Sequence, residues 1–356
     1  MDFNIIQFKK PFYKIKAPLR DHLRQYSRQM TLPINYEDLT RYADLIPMTD
    51  EDDNPTLWYS VLYNTSDLEF FQQELGRVYE LLVADGDKIP YLKIASIEFC
   101  SFGNSKPFRI KVVNEINDNH DYFYIKRADA SRVYGLEIEE IFSPDKVSFL
   151  VDGTTLVEEH IVGIPCDDFI KKHENVKIEN RLRFAKEFVK FNERCFTRLL
   201  GDMRAYNFVV EIIQDFDNIQ YRLRPIDFDQ QCYEGRKRIY LPQYYRDNIA
   251  LVELAQEVLD IQVAQQYMRE ERVAMRKRFM ASKQRTKSIL RRMKKDRIAS
   301  ISHCENLAKE LGEFYGTDAF EGMIKMGDIL TLQLELKLGV KIFEPLKRKV
   351  PTKPLP

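Results

Sequence analysis

The chain lacks net charge: 55 Lys and Arg balance 55 Asp and Glu over 356 residues. Overall charge therefore gives no ground for a nucleic-acid or membrane partner, and any such partner has to be argued from a local patch. It also lacks a cysteine framework. Cys100, Cys166, Cys195, Cys232 and Cys304 stand far apart without CxxC spacing, and an odd number of five suits a reducing compartment better than disulfides. No Cys and His spacing supports a chelated metal. No apolar stretch reaches spanning length, and residues 1–16 mix lysines into their apolar positions without a continuous apolar core or a small-residue cleavage site. These absences predict a soluble, cytoplasmic protein. Internal repeats are missing too, and residues 1–90 hold no chemical motif.

What is present is apolar material. A hydrophobic content of 44% with 12% aromatics is enough for one large core or two modest ones. Residues 1 to about 90 read as mainly helical, with an acidic, proline-containing loop over 48–55. From Pro90 the texture changes to strand alternation at 91–100, 108–113 and 122–126. A helix follows at about 128–142, then two more strands at 147–151 and 155–161 around Asp152-Gly153. Beyond Gly163 the periodicity becomes helical: Phe184, Phe188, Phe191, Cys195, Phe196 and Leu199 recur at three- and four-residue steps on one face of a long helix ending at Gly201. A second hairpin spans 208–213 and 219–223. The rest to about 343 reads as helices, with a strongly basic stretch at 272–297, and the Pro- and Lys-containing tail from 345 reads as disordered.

The chemistry concentrates in Gly201-Asp202-Met203-Arg204-Ala205-Tyr206-Asn207, followed after a hairpin by Ile226-Asp227-Phe228-Asp229. An Asp and an Asn five apart in a loop, with a second Asp after a hairpin, can converge on one metal–phosphate cluster. Phosphoryl transfer needs an oxygen base to orient the attacking hydroxyl and oxygen ligands to hold Mg²⁺ against phosphates. Asp202 fits the first role; Asn207 and Asp227 fit the second. Singly, each is an ordinary turn or strand-end residue.

These segments resemble the protein-kinase-like superfamily, and the aminoglycoside phosphotransferase type more than the eukaryotic protein kinases, over roughly residues 91–235. Leu200-Gly201-Asp202 with Asn207 looks like that branch's catalytic loop, with Leu200 where His is usual, and Arg204 stands where a cation commonly contacts the transferred phosphate. Ile226-Asp227-Phe228-Asp229 is similar to the metal-binding Asp-Phe-Gly segment, with Asp229 for Gly as a further carboxylate for a second Mg²⁺ or for restricting the loop. Tyr122-Phe123-Tyr124-Ile125-Lys126 looks like the strand whose Lys holds the α- and β-phosphates, with Glu137 or Glu140 on the next helix as its partner. Gly103 and Ser105 occupy the turn where the family covers the phosphates, and residues 156–165 resemble the hinge, so that Glu159 and Ile161 would meet adenine through their main chain.

The resemblance implies an α+β, bilobal, protein-kinase-like fold. A five-stranded antiparallel small lobe would cover 91–163 and a mainly helical large lobe 164–344, with a mainly helical extension over 1–90 and the tail over 345–356. It implies an ATP- and Mg²⁺-dependent phosphotransferase acting on a hydroxyl of a small molecule or a protein. The alternative from another class is a catalytically weak pseudokinase or scaffold that binds nucleic acid or another partner through 272–297, with nucleic acid the less favoured partner.

Overall fold

The computed structural model describes residues 10–50, 52–173, 180–215 and 218–343. The tail expected to be disordered lies outside them. The first half of the chain contains α1 (Ala17–Gln25), α2 (Tyr36–Leu39), β1 (Asp44–Thr49), β2 (Pro55–Leu62) and α3 (Thr65–Ala84). Then come β3 (Leu92–Cys100), β4 (Phe108–Asn114), β5 (His120–Arg127), α4 (Ala130–Phe142), β6 (Phe149–Asp152) and β7 (Thr155–Glu159). Among the described residues, seven strands form one sheet in the order β1-β2-β3-β4-β5-β7-β6, and every paired neighbour in it runs antiparallel.

The period-2 alternation of these strands sorts the sheet into two chemically different faces. Ile97, Phe99, Phe108, Ile110, Val112, Phe123, Ile125 and Val157 all join one buried apolar cluster. Leu32, Ile34, Tyr36 and Leu39 cover that face, together with Phe71, Leu75, Val78 and Leu82 of α3. The N-terminal ninety residues thus supply the lid for an apolar sheet surface that water would otherwise meet. They are less helical than the sequence suggests: β1 and β2 form a hairpin that joins the sheet beside β3 through Trp58↔Cys100, Tyr59↔Phe99 and Ser60↔Glu98. Of the acidic loop expected at 48–55, Met48 and Thr49 end β1 and Pro55 opens β2, and the Asp50 N–H donates to the Asn54 carbonyl at 2.9 Å between them. The five strands expected have become seven because the tertiary pairing with β3 organises a segment with little alternation of its own.

The second half contains β8 (Ile164–Pro165), α5 (Cys166–His173), α6 (Arg181–Arg198), β9 (Phe208–Asp215) and β10 (Asn218–Pro225), then α7 (Ile249–Val258), α8 (Ile261–Ala281), α9 (Lys283–Met293), α10 (Ile301–Tyr315) and α11 (Met326–Leu338). The predicted apolar face of α6 is buried, with Phe184, Phe188, Phe191, Cys195 and Phe196 each at most 2% exposed. The helix stops at Leu199, which takes a left-handed conformation at φ 53°. The basic stretch is two helices, broken at Ser282. Several of its cations are used internally: Arg272 pairs with Glu193, Arg278 with Glu271, and Arg285 with Glu137 and Glu140. No helix among the described residues is long and apolar enough to cross a membrane.

Helix α4 joins the two halves. Every residue of it except Glu140 is buried, so its charged side chains need partners inside the protein. Glu139 meets Arg198, and Glu137, with no exposed side-chain surface, meets His22 Nε2 at 3.0 Å and Arg285 Nη2 at 2.7 Å. Asp129 caps the helix through the Ser131 N–H at 2.9 Å and also receives the Lys10 ammonium at 2.5 Å and the Tyr13 N–H at 2.8 Å.

Candidate functional site

The polar face of the sheet looks onto a cleft of about 930 Å³. Its walls hold Gly103, Ser105, Lys126, Glu159, Ile161, Asp202, Asn207, Asp227 and Asp229, all singled out in the sequence. Strand alternation explains why Lys126 points there: it shares its face with Tyr124, which pairs with Arg109 across β4 and with Glu158 across β7. Where the chain leaves β7, Gly163 adopts φ +155°, and a Cβ on it would stand 2.7 Å from Val209 Cγ2. Glycine therefore lets 160–163 lie directly against β9 below the cleft.

The Asp202 loop is held from several sides. Asp202 itself is left-handed at φ 57°, a conformation a non-glycine residue keeps only when its surroundings enforce it. Its N–H donates to the Ile239 carbonyl at 3.2 Å and to the Tyr245 hydroxyl at 3.1 Å. Its carbonyl accepts from the Arg204 N–H at 2.8 Å and from Asn207 Nδ2 at 2.7 Å. Asn207 in turn accepts the Ile226 N–H at 3.0 Å through its own carbonyl, and so ties the loop to the Asp227 segment. The Arg204 guanidinium is bound to Asp202 Oδ1 at 3.0 Å and to Asp247 Oδ2 at 3.2 Å. Gly201 and Cys232 close a second seam, with Gly201 N–H on the Gln230 carbonyl at 3.3 Å and Cys232 N–H on the Leu199 carbonyl at 2.9 Å.

The ion pairs differ from expectation at one point. Lys126 does not reach Glu137 or Glu140; its ammonium bonds to Glu158 Oε2 at 2.6 Å. Glu137 is turned away towards α1 and α9 by His22 and Arg285, and Glu140 is taken by Arg28, Lys146 and Arg285. The helix residue that does enter the site is Arg132. Its Nε and Nη2 fork onto Glu158, the second bond at 2.7 Å, and its Nη1 bridges Asp227 Oδ1 at 3.0 Å and Asp229 Oδ1 at 3.1 Å. Burial alone would raise Glu158, but Arg132 first and then Lys126 outweigh it and hold the carboxyl down at about 2. Lys126 is drawn below its usual value by burial and by Arg132, against the pull of Glu158. The securely charged members are thus Arg132 and Glu158. Asp227 keeps 30% of its side chain open to the cleft, yet desolvation and the adjacent Asp229 carboxylate push it up, with Arg132 opposing.

Neither the protein-family models nor the curated proteins give a match to this chain. The site therefore has to be read from its own atoms.

Three features escaped the sequence. Glu158 carried a signal, since alternation along β7 puts it on the face of Tyr124 and Lys126. Arg132 carried none, because only the docking of α4 brings it to the carboxylates. Trp58, the single tryptophan, lines the cleft from the N-terminal hairpin with its ring 4.4 Å from the Arg109 guanidinium. Glu98 fixes that guanidinium at 2.6 Å.

A divalent cation is testable against this donor set. Asp227 and Asp229 already share one positive group at about equal distance, and Asn207 stands beside them, so the oxygens suit a hard cation. Among the described residues no group of three or more His, Cys, Asp or Glu side chains is arranged to hold a metal alone.

Proposed function

We propose that the chain is an ATP- and Mg²⁺-dependent phosphotransferase of the kinase-like, bilobal type, moving the γ-phosphate to a hydroxyl acceptor. The observation that carries the proposal is the convergence of Lys126, Asp202, Asn207, Asp227 and Asp229, from separate parts of the chain, on one cleft. Lys126 would bind phosphate oxygens, with Gly103 and Ser105 covering them and the main chain at Glu159 and Ile161 meeting the base. Asp202 would orient the acceptor hydroxyl and take its proton, while Arg204 holds the Asp202 carboxylate and offers charge to the transferred group. Asn207 and Asp227 would hold Mg²⁺, whose chemistry is to neutralise charge on the phosphates, with the Asp229 carboxylate beside them.

The first test is thermal stability with ATP and Mg²⁺, with ATP alone, and in Asp227→Ala, because a ligand of the native state raises the melting temperature. A Mg²⁺-dependent rise that the variant loses supports the proposal; no rise at millimolar ATP removes it. Trp58 emission gives an independent signal from the cleft wall.

The second reading is a scaffold that binds a polyanion through α8 and α9. Arg276, Lys277, Lys283 and Arg291 remain exposed there. Binding of a polyanion that falls steeply with salt, without any Mg²⁺-nucleotide response, would favour it.

A further inference from the structure

We infer that Arg132 is a built-in cation of this site, standing where a second divalent ion would bridge Asp227 and Asp229, so that the chain takes up one divalent ion with each nucleotide. The inference rests on the phosphotransferase reading above and concerns how its metal site is completed.

Arg132 has its N–H groups spent on the cluster. Nε and Nη2 bind Glu158, Nη2 also reaches the Ile226 carbonyl at 3.2 Å, and Nη1 serves both aspartates. A guanidinium does not lose its proton in a protein, so this charge is permanent. It is also fixed in place. The Arg132 side chain is 2% exposed, and it projects from the first turn of α4, which is anchored from both sides. On one side Asp129 caps the turn and is itself gripped by Lys10 and Tyr13. On the other, Ser131 Oγ donates to the Asp229 carbonyl at 3.1 Å and the Gln231 carbonyl at 2.7 Å. A Cβ on Gly135 would be 3.0 Å from Phe228 Cβ, which shows how closely the helix lies on the segment between the two aspartates. Arg132 is therefore part of the floor of the site and not an arm that swings aside.

Charge gives the same answer. Three carboxyl groups, Glu158, Asp227 and Asp229, surround the Lys126 and Arg132 side chains, and the permanent charge of Arg132 is already bound to both aspartates. A second ion would have to share Asp229 with a guanidinium at hydrogen-bond distance, and the two cations repel. Asp227 and Asn207, both on the cleft wall, would remain to hold the single ion. Asp229 thereby serves as the carboxylate that holds Arg132.

Mn²⁺ is the probe, counted as the excess of total metal on the chain's side at equilibrium dialysis of the full chain with saturating ADP on both sides. One Mn²⁺ per chain is expected for the parent, and two for Arg132→Gln, with folding of the variant checked by circular dichroism. Should Arg132→Gln not fold, the pair Arg132→Gln with Glu158→Gln removes the orphaned buried carboxylate and takes its place. Two Mn²⁺ in the parent, or one in both parent and variant, overturns the inference while leaving nucleotide binding intact. Absence of any nucleotide-dependent Mn²⁺ uptake, with no thermal response to ADP, overturns the phosphotransferase reading and this inference with it.

Discussion

Glu158→Gln tests the buried cluster with almost no change of shape. The parent carboxylate binds Lys126 and both branches of Arg132, whereas the amide keeps the volume but loses the charge, leaving two buried cations to share Asp227 and Asp229. The distance from the ordinary 4.5 to about 2 corresponds to about 3 kcal/mol at about 1.4 kcal/mol per pH unit. Breaking one member out of a buried ion cluster independently suggests about 3–5 kcal/mol. The sign with pH follows from the folded value lying below the unfolded one: the stabilisation is complete above about pH 4.5 and is lost as pH falls towards 2. At pH 3 roughly half of it should remain. Urea unfolding of parent and variant at pH 7 and at pH 3 measures both differences, and titration of groups away from the cluster cancels. A loss under about 1 kcal/mol at pH 7, or a loss no smaller at pH 3, would refute the reasoning.

Asp202→Ala should cut phosphoryl transfer by about 10²-fold or more while the Mg²⁺-nucleotide thermal response persists; equal turnover in parent and variant would remove Asp202 from its role. Gly327→Ala should destabilise by about 3 kcal/mol, because its Cβ would lie 2.4 Å from the backbone of Met293 and Lys294, and urea midpoints at neutral pH would show a harmless exchange at once. Arg285→Ala should cost about 3 kcal/mol by leaving Glu137 buried with His22 alone. Glu137→Gln added to it should restore part of that loss, and purely additive losses would mean that the pair is uncoupled.

How far the sequence disclosed this molecule depended on how local each signal was. The strands β3 to β5 and β7 were readable because alternate residues such as Phe108, Ile110 and Val112 enter one core while Arg109 and Lys111 face away. The face of α6 was readable from its phenylalanines for the same reason. The hairpin β1–β2 was missed: β1 has an irregular exposure pattern, and the hairpin reaches the sheet through a three-residue register against β3. The approach of Asp202, Asn207 and Asp227 to one cleft was legible because a short loop and a hairpin fix their spacing. The partner of Lys126 was not, since the choice between Glu137 and Glu158 depends on the rotation of α4. His22 and Arg285 draw Glu137 to the far side of that helix, and no sequence spacing encodes this.

The two borders of the large sheet have a consequence for crowding and self-association. A bare outer strand presents unpaired N–H and C=O groups, and another chain can add to them. At the β6 border the main chain is already engaged, with Val151 N–H on the Arg28 carbonyl at 2.7 Å and Met30 N–H on the Val151 carbonyl at 3.2 Å. At the β1 border Pro47 has no N–H to offer, and the pairing register shifts between Pro47 and Thr49. A segment next to α1 seals one border and a proline with a bulge blunts the other. The hairpin that enlarges the sheet thus also supplies the proline and the bulge that blunt its new outer border.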